Sequence, residues 1–316
     1  MEGKNIAYAN LNLVFGSEES PLLEYLDEIV IPALQGEYIR QSTEKTYYMF
    51  DNVNLTKFKD GDLAITGILI KDTVLDVMTK YHKEKGLEKT NLHYQSSPYS
   101  AFIIYLKNHK MVLIKNQSGS PDIRAFAATF RDVLVQYRRK ENKRRRENKL
   151  EYLPSAILNV TGIKTDKSVR DALKGVEKVN ELILKFKPLN AEWDRQQIFG
   201  GIEKEVRKVI NADVGRMVFK SPKNINGVIE VLESTQGLVD AELVVTRENY
   251  ESVSGGKKKE KIRDDEIMAT GVVDISGQLD ESFEEIHNSV KDVSSLHSTT
   301  PNNLIDFNKY KNKHNK

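Results

Sequence analysis

The chain has 316 residues, 39% of them hydrophobic, with 48 Lys and Arg against 46 Asp and Glu, six His and no Cys. Such a length can bury a large core and favours two domains over one, while the absence of cysteine excludes disulfides, thiolate catalysis and cysteine-held metal groups. No run approaches the ~20 apolar residues of a membrane helix, and the opening MEGKNIAYANLNLVF lacks a signal peptide's charged lead and long apolar stretch, so a cytoplasmic location is expected.

Residues 5–15 alternate and are rich in β-branched and aromatic types, which predicts a strand. A helix over 21–34 follows, with Leu22, Leu23, Leu26 and Ile29 on its apolar face. Strands are predicted at 46–52, 63–70, 101–106 and 111–115, with a helix at 73–83 between them. Lys57 to Gly61 (KFKDG) reads as a hairpin turn. Asn108-His109 joins the last two strands in a short loop that needs positive φ. Tyr48 and Phe50 share a strand face; core packing explains them as well as a stacking platform for single-stranded nucleic acid does. Trp193, the only tryptophan, reads the same way.

The helix that closes this block carries the strongest functional signal. Ile123, Phe126, Phe130, Val133, Leu134 and Tyr137 recur at helical spacing, and Pro121 and Asp122 suit its start. Beyond Tyr137 the apolar stripe stops while helix formers continue as YRRKENKRRRENK, eight cations against two glutamates. Cations suit the negative end of the helix dipole, and the arginine fork can grip a phosphate through two hydrogen bonds. Arg138, Arg139, Lys140, Lys143, Arg144, Arg145, Arg146 and Lys149 are therefore the candidate nucleic-acid-binding residues. Two other readings stay open: a solvated helix end with Glu141 compensating its neighbours, and contact with an anionic membrane surface.

The charge is segregated. Residues 137–223 carry 22 basic and 12 acidic side chains, whereas 224–316 carry 11 and 17. A positive field in the middle third would steer a polyanion, and an acidic tail could compete for that surface. Lys185, Lys187, Arg216 and Lys220, on predicted strands of the basic third, are secondary candidates.

The second half alternates strands at 156–162, 181–187, 215–220, 241–246 and 267–275 with helices at 167–178, 192–210 and 225–234. The expected architecture is α+β with two mixed domains: residues 1–150 ending in the basic helix, and 151–277 as a β-α-β-α-β-α-β unit. Residues 252–266 read as a loop or hairpin tip, and 278–316 as one helix near 280–290 followed by a mobile tail.

Catalytic constellations are few. The six histidines show no metal-ligand spacing, Gly200-Gly201 lacks the phosphate-loop context, and there is no G-x-S-x-G elbow. Asp51, Asp60, Asp62 and Asp72 lie near strand ends, and Asp264, Asp265 and Glu266 form a second acidic group. A metal-dependent nuclease would use such carboxylates, although ordinary turn preference explains them too. No catalytic residue, metal ligand or cofactor is assigned.

The strand YYMFDNV (residues 47–53) before TGILIKDTV (66–74), the hairpin SAFIIYLKNHKMVLI (100–114) and LPSAILNVTG (153–162) together resemble prokaryotic phage-defence proteins of the RexA/KwaB kind. The resemblance spans about two-thirds of the chain in outline and carries no catalytic signature. It implies sequence-independent binding of duplex DNA, in preference to RNA, by a homodimer in an antiphage pathway. A second defence protein as partner, and a non-catalytic adaptor role, are alternatives.

Overall fold

The computed structural model describes residues 3–187, 206, 209, 210, 212, 214–248, 257–293, 296 and 299–314. Strand β1 (Lys4–Phe15) lies inside a ten-stranded sheet. Along one edge it pairs with β8 (Lys110–Lys115); the other edge is shared end to end by β14 (Thr270–Val273), opposite residues 4–7, and β9 (Ala156–Gly162), opposite residues 9–15. From β8 the sheet continues through β7 (Tyr99–Tyr105), β5 (Leu63–His82) and β4 (Thr46–Lys57) to β3 (Ile39–Thr43). Two strands stand off this path: β2 (Ser20–Pro21) on β1, and β6 (Gly86–Ser96) on β5. A second, four-stranded sheet has the order β11 (Gly215–Lys220), β10 (Val176–Phe186), β12 (Asp240–Glu248), β13 (Lys257–Ile262). Every strand pairing among the described residues is antiparallel, which makes the chain α+β.

Helices cover both faces of the large sheet. On one side sit a 3-10 turn (Leu22–Tyr25), a π turn (Leu26–Val30) and α1 (Ile31–Gln35) in succession, together with the long α2 (Ile123–Glu147). Phe50, Phe102, Phe126 and Phe130 meet there edge to face, with ring centres 5.1–6.0 Å apart. Phe50 is therefore a core ring and no stacking platform. The opposite face packs Ile68, Ile103 and Val112 against Ile286 and Val290 of α5 (Phe283–Val290). The small sheet is covered by α3 (Asp166–Ala172) and α4 (Ile225–Ser234) through Val169, Val228 and Leu232.

Several expectations match closely: β1, α2, β9, β11, α4 and the β7–β8 hairpin. In that hairpin the positive φ falls on His109 (57°), while the Asn108 carboxamide accepts from the Lys110 N–H at 3.1 Å and shapes the turn from the side.

The differences are instructive. The helix expected at 73–83 is the outer half of β5, which pairs with β6 as a long hairpin. β-branched Thr73, Val74, Val77 and Thr79 favour a strand, and apolar spacings of two and four fit either period over so short a run. The helix expected at 167–178 stops at Ala172, and β10 begins at Val176. Of the strands assigned to a second domain, β9 and the shortened β14 hydrogen-bond to β1 in the large sheet. The loop expected over 252–266 contributes strand β13 to the small one. The tail holds a second helix, α6 (Pro301–His314), whose Phe307 and Tyr310 are buried in the first core. The helix expected at 192–210, Trp193 and Gly200-Gly201 lie wholly or almost wholly outside the described residues.

Candidate nucleic-acid interface

Helix α2 starts cleanly: the Asp122 side chain accepts from the Ala125 N–H at 2.8 Å, satisfying one of the donors a helix start leaves open. Ile123, Phe126, Phe130, Val133 and Leu134 are buried, and the Tyr137 hydroxyl donates to the Glu28 carbonyl at 2.8 Å. Past that anchor the helix runs on for ten residues with no further buried side chain. The structure thus places the basic run where its apolar stripe ends, on the last turns of a helix leaving the core.

Two of the eight cations are paired with carboxylates among the described residues. Arg144 holds Glu141 through two hydrogen bonds of 2.5 and 2.9 Å. Arg145 pairs with Glu28, lies 3.3 Å from Glu141 and donates to the Glu151 carbonyl at 2.9 Å, which leaves its side chain 18% exposed. The Arg144 hydrogen bond, helped by Arg145, holds the Glu141 carboxyl below the usual carboxylate range. Lys140 sits 5.8 Å from the centre of the Tyr38 ring, a cation–π contact.

Arg138, Arg139, Lys143, Arg146 and Lys149 make no ion pair or side-chain hydrogen bond among the described residues. Lys149 follows the helix at φ 52°. Arg139, Lys143 and Arg146, spaced four and three apart, fall on one helical stripe, pointing away from the Glu141–Arg145 side; all three are exposed. Like charges at this spacing repel by a few tenths of a kcal/mol per pair, so the stripe contributes nothing to folding.

Of the secondary candidates, Lys185 and Lys187 are not part of this surface. Lys185 pairs with Glu242 at 2.8 Å; Lys187 donates to Asn159 at 2.8 Å and faces Asp240 at 3.7 Å. Both belong to a charged cleft between the two sheets. Lys164, fully buried, meets Asp264 there at 2.5 Å and donates to the carbonyls of Gly162 and Val239, each at 3.1 Å. Burial pushes the Lys187 ammonium down and the Asp240 carboxyl up, the latter aided by the Asp264 charge. Arg124, in the first turn of α2, closes the cleft on Asp265 at 3.2 Å. The cleft and the basic tip therefore stand at opposite ends of a 25-residue helix, about 37 Å long. Arg216 and Lys220 are exposed on edge strand β11, Arg216 in register with Lys185.

Sequence reasoning missed the cations of α6. Lys309, Lys311 and Lys313 lie on it, and the Tyr310 hydroxyl donates to Asp27 at 3.1 Å, beside the Glu28 that Arg145 holds. The end of the chain, expected to be a mobile tail, is a basic helix tied to the same segment as α2. Leu304, Phe307 and Tyr310 at three-residue spacing were the readable sign.

Among the acidic groups, Asp264 and Asp265 serve the ion pairs above, and Asp72 accepts from Ser97. Asp60 and Asp62 behave differently. With His287 of α5 they bring three ligand atoms within 4.8 Å of one another, a spacing one divalent cation can span. His287 is 2% exposed and stacks on Phe58 with ring centres 4.0 Å apart. Its Nε2 is 2.7 Å from Asp60 and its Nδ1 3.1 Å from the Tyr105 hydroxyl. A neutral ring that donates to Asp60 and accepts from Tyr105 has both nitrogens satisfied, so the group can equally fasten α5 to the β4–β5 turn.

No helix among the described residues is long and apolar enough to cross a membrane. Comparison of the sequence with protein-family models and with curated proteins returns no match.

Proposed function

We propose that the chain binds duplex DNA without sequence preference, in the cytoplasm, as a pair of identical copies within an antiphage-defence pathway. The observation that carries the DNA-binding reading is the exposed stripe Arg139, Lys143, Arg146, which among the described residues has no carboxylate partner and no folding role. Such a stripe suits a regular array of phosphates, and no recognition-helix pattern accompanies it. Arg138, Lys140 and Lys149 extend it, and Arg144 can exchange Glu141 for a phosphate. Fluorescence anisotropy with unrelated duplexes should give similar affinities that fall steeply with salt; a flat salt dependence, or binding of RNA in preference to duplex DNA, would sink the reading.

The Asp60, Asp62 and His287 group favours a second reading, a metal-dependent nuclease. Incubating the protein and plasmid DNA with magnesium or manganese separates the two: fragments support the nuclease, and a mobility shift without fragments supports the binder. Absence of any shift at moderate salt points to the adaptor role, with the basic tip facing an acidic protein.

A further inference from the structure

Among the described residues, the strands β5 and β6 pair only with each other from Val74 to Gln95, as a two-stranded ribbon extending about 30 Å beyond the sheet. Its two faces differ. Cross-strand pairs Leu75–Tyr94, Val77–Leu92 and, past a bulge, Thr79–Lys89 and Tyr81–Leu87 share one face, while Asp76–His93 and Lys80–Glu88 share the other. The first face is apolar and open: Leu75, Tyr81, Leu87, Leu92 and Tyr94 are 45–74% exposed. A bare two-stranded ribbon is marginal in water, and an apolar patch of this size on a polar chain marks a contact surface.

We propose that this face is covered by the same face of a second copy of the chain. Two observations select that occupant. The order of side chains is self-complementary: at the base leucine is on β5 and tyrosine on β6, and at the tip the arrangement is reversed. A two-fold axis crossing the ribbon near Met78 sets Tyr81 on the partner's Leu75, Leu87 on the partner's Tyr94, and Leu92 on the aliphatic stem of the partner's Lys89. Every residue then meets a complementary one, which an isologous contact requires. The area is also sufficient, since the exposed side chains offer about 600 Å² per copy and the pair about 1,200 Å², the lower bound for a stable specific interface.

This deepens the paired-copy part of the proposed function and names the surface responsible. The mass of the full chain, read by sedimentation equilibrium at micromolar concentration without DNA, tests it. Twice 36.1 kDa is expected for the wild type, and 36.1 kDa for Y81K/L87K with an unchanged circular dichroism spectrum. Because the chain has no cysteine, T79C, beside the two-fold axis and outside the leucines and tyrosines of the face, should be joined into a covalent dimer by a bis-maleimide spanning about 10 Å, the spacing of sheets packed face to face. A monomeric wild type, a dimer that survives Y81K/L87K, or no covalent dimer overturns the proposal. So does a monomer whose DNA binding Y81K/L87K abolishes, which would assign the ribbon to nucleic acid. Mass is independent of the basic stripe, so its failure leaves DNA binding standing, and loss of DNA binding leaves the mass result intact.

Discussion

The two ends of α2 use the same residue types to opposite ends. At its start, Arg124, Lys164, Lys185 and Lys187 each face a carboxylate in a cleft that joins the two sheets. At its finish, Arg139, Lys143 and Arg146 face solvent, and among the described residues only Arg144 and Arg145 of the run have carboxylates. Buried charge must be matched or it costs several kcal/mol, so the cleft is architecture. Exposed like charge is tolerated in water without being needed, so the tip is where a ligand has something to gain.

Reversing the tip sharpens this contrast most. R139E/K143E/R146E should weaken duplex binding about a thousandfold near 0.1 M salt and reduce the salt slope by about 3, while stability stays within about 0.5 kcal/mol. Equal affinity in an anisotropy titration would break the comparison at this end. Next comes the cleft: Lys164→Met leaves Asp264 without its ammonium and should cost about 3 kcal/mol in urea unfolding, with DNA affinity unchanged. A cost below about 1 kcal/mol would show that the cleft is not a structural joint.

Titration should separate the ends by sign. Carboxyl NMR is expected to place Glu141 below, and Asp240 above, their ordinary values. The lowered Glu141 contributes stability present above about pH 4.3 and lost as pH falls through its folded value. The raised Asp240 makes a contribution present below about pH 3.9 and lost as pH rises through its folded value, so at neutral pH its ionised form is a burden carried by the fold. Reversed directions would contradict the burial assigned to the cleft. The smallest effect concerns Asn10 of β1, buried against the Gly237 turn with neither carboxamide atom hydrogen-bonded among the described residues. Asn10→Leu should be neutral or stabilising by up to about 1 kcal/mol in the same urea assay; a loss above that would reveal a bridging water or other partner.

How much of this was readable follows from the range of each interaction. The basic tip lies within one stretch of chain, and its relation to the apolar stripe is a matter of period, so α2 and its exposed end were legible. The cleft gathers residues 124, 164, 185, 187, 240 and 264 from six elements and turns, and nothing local announces that Lys185 and Lys187 will be neutralised there. Asp60 and His287 meet across more than two hundred residues, out of reach of any spacing rule. The ribbon was misread for a different reason: its alternation over residues 75–81 is short enough to fit a helical period as well, and its apolar side faces solvent among the described residues, so it lacks the burial that identifies an ordinary strand.

The pairing of β1 also constrains how the molecule is made. Residues 4–15 leave the ribosome well before residues 156–162 and 270–273, which together complete a single edge of that strand. Until translation has delivered Val273, that edge keeps backbone donors and acceptors open on an apolar strand, the species most prone to self-association. Pairings of such long sequence separation form slowly, so maturation should be slow and truncations that stop short of β14 should accumulate in inclusion bodies.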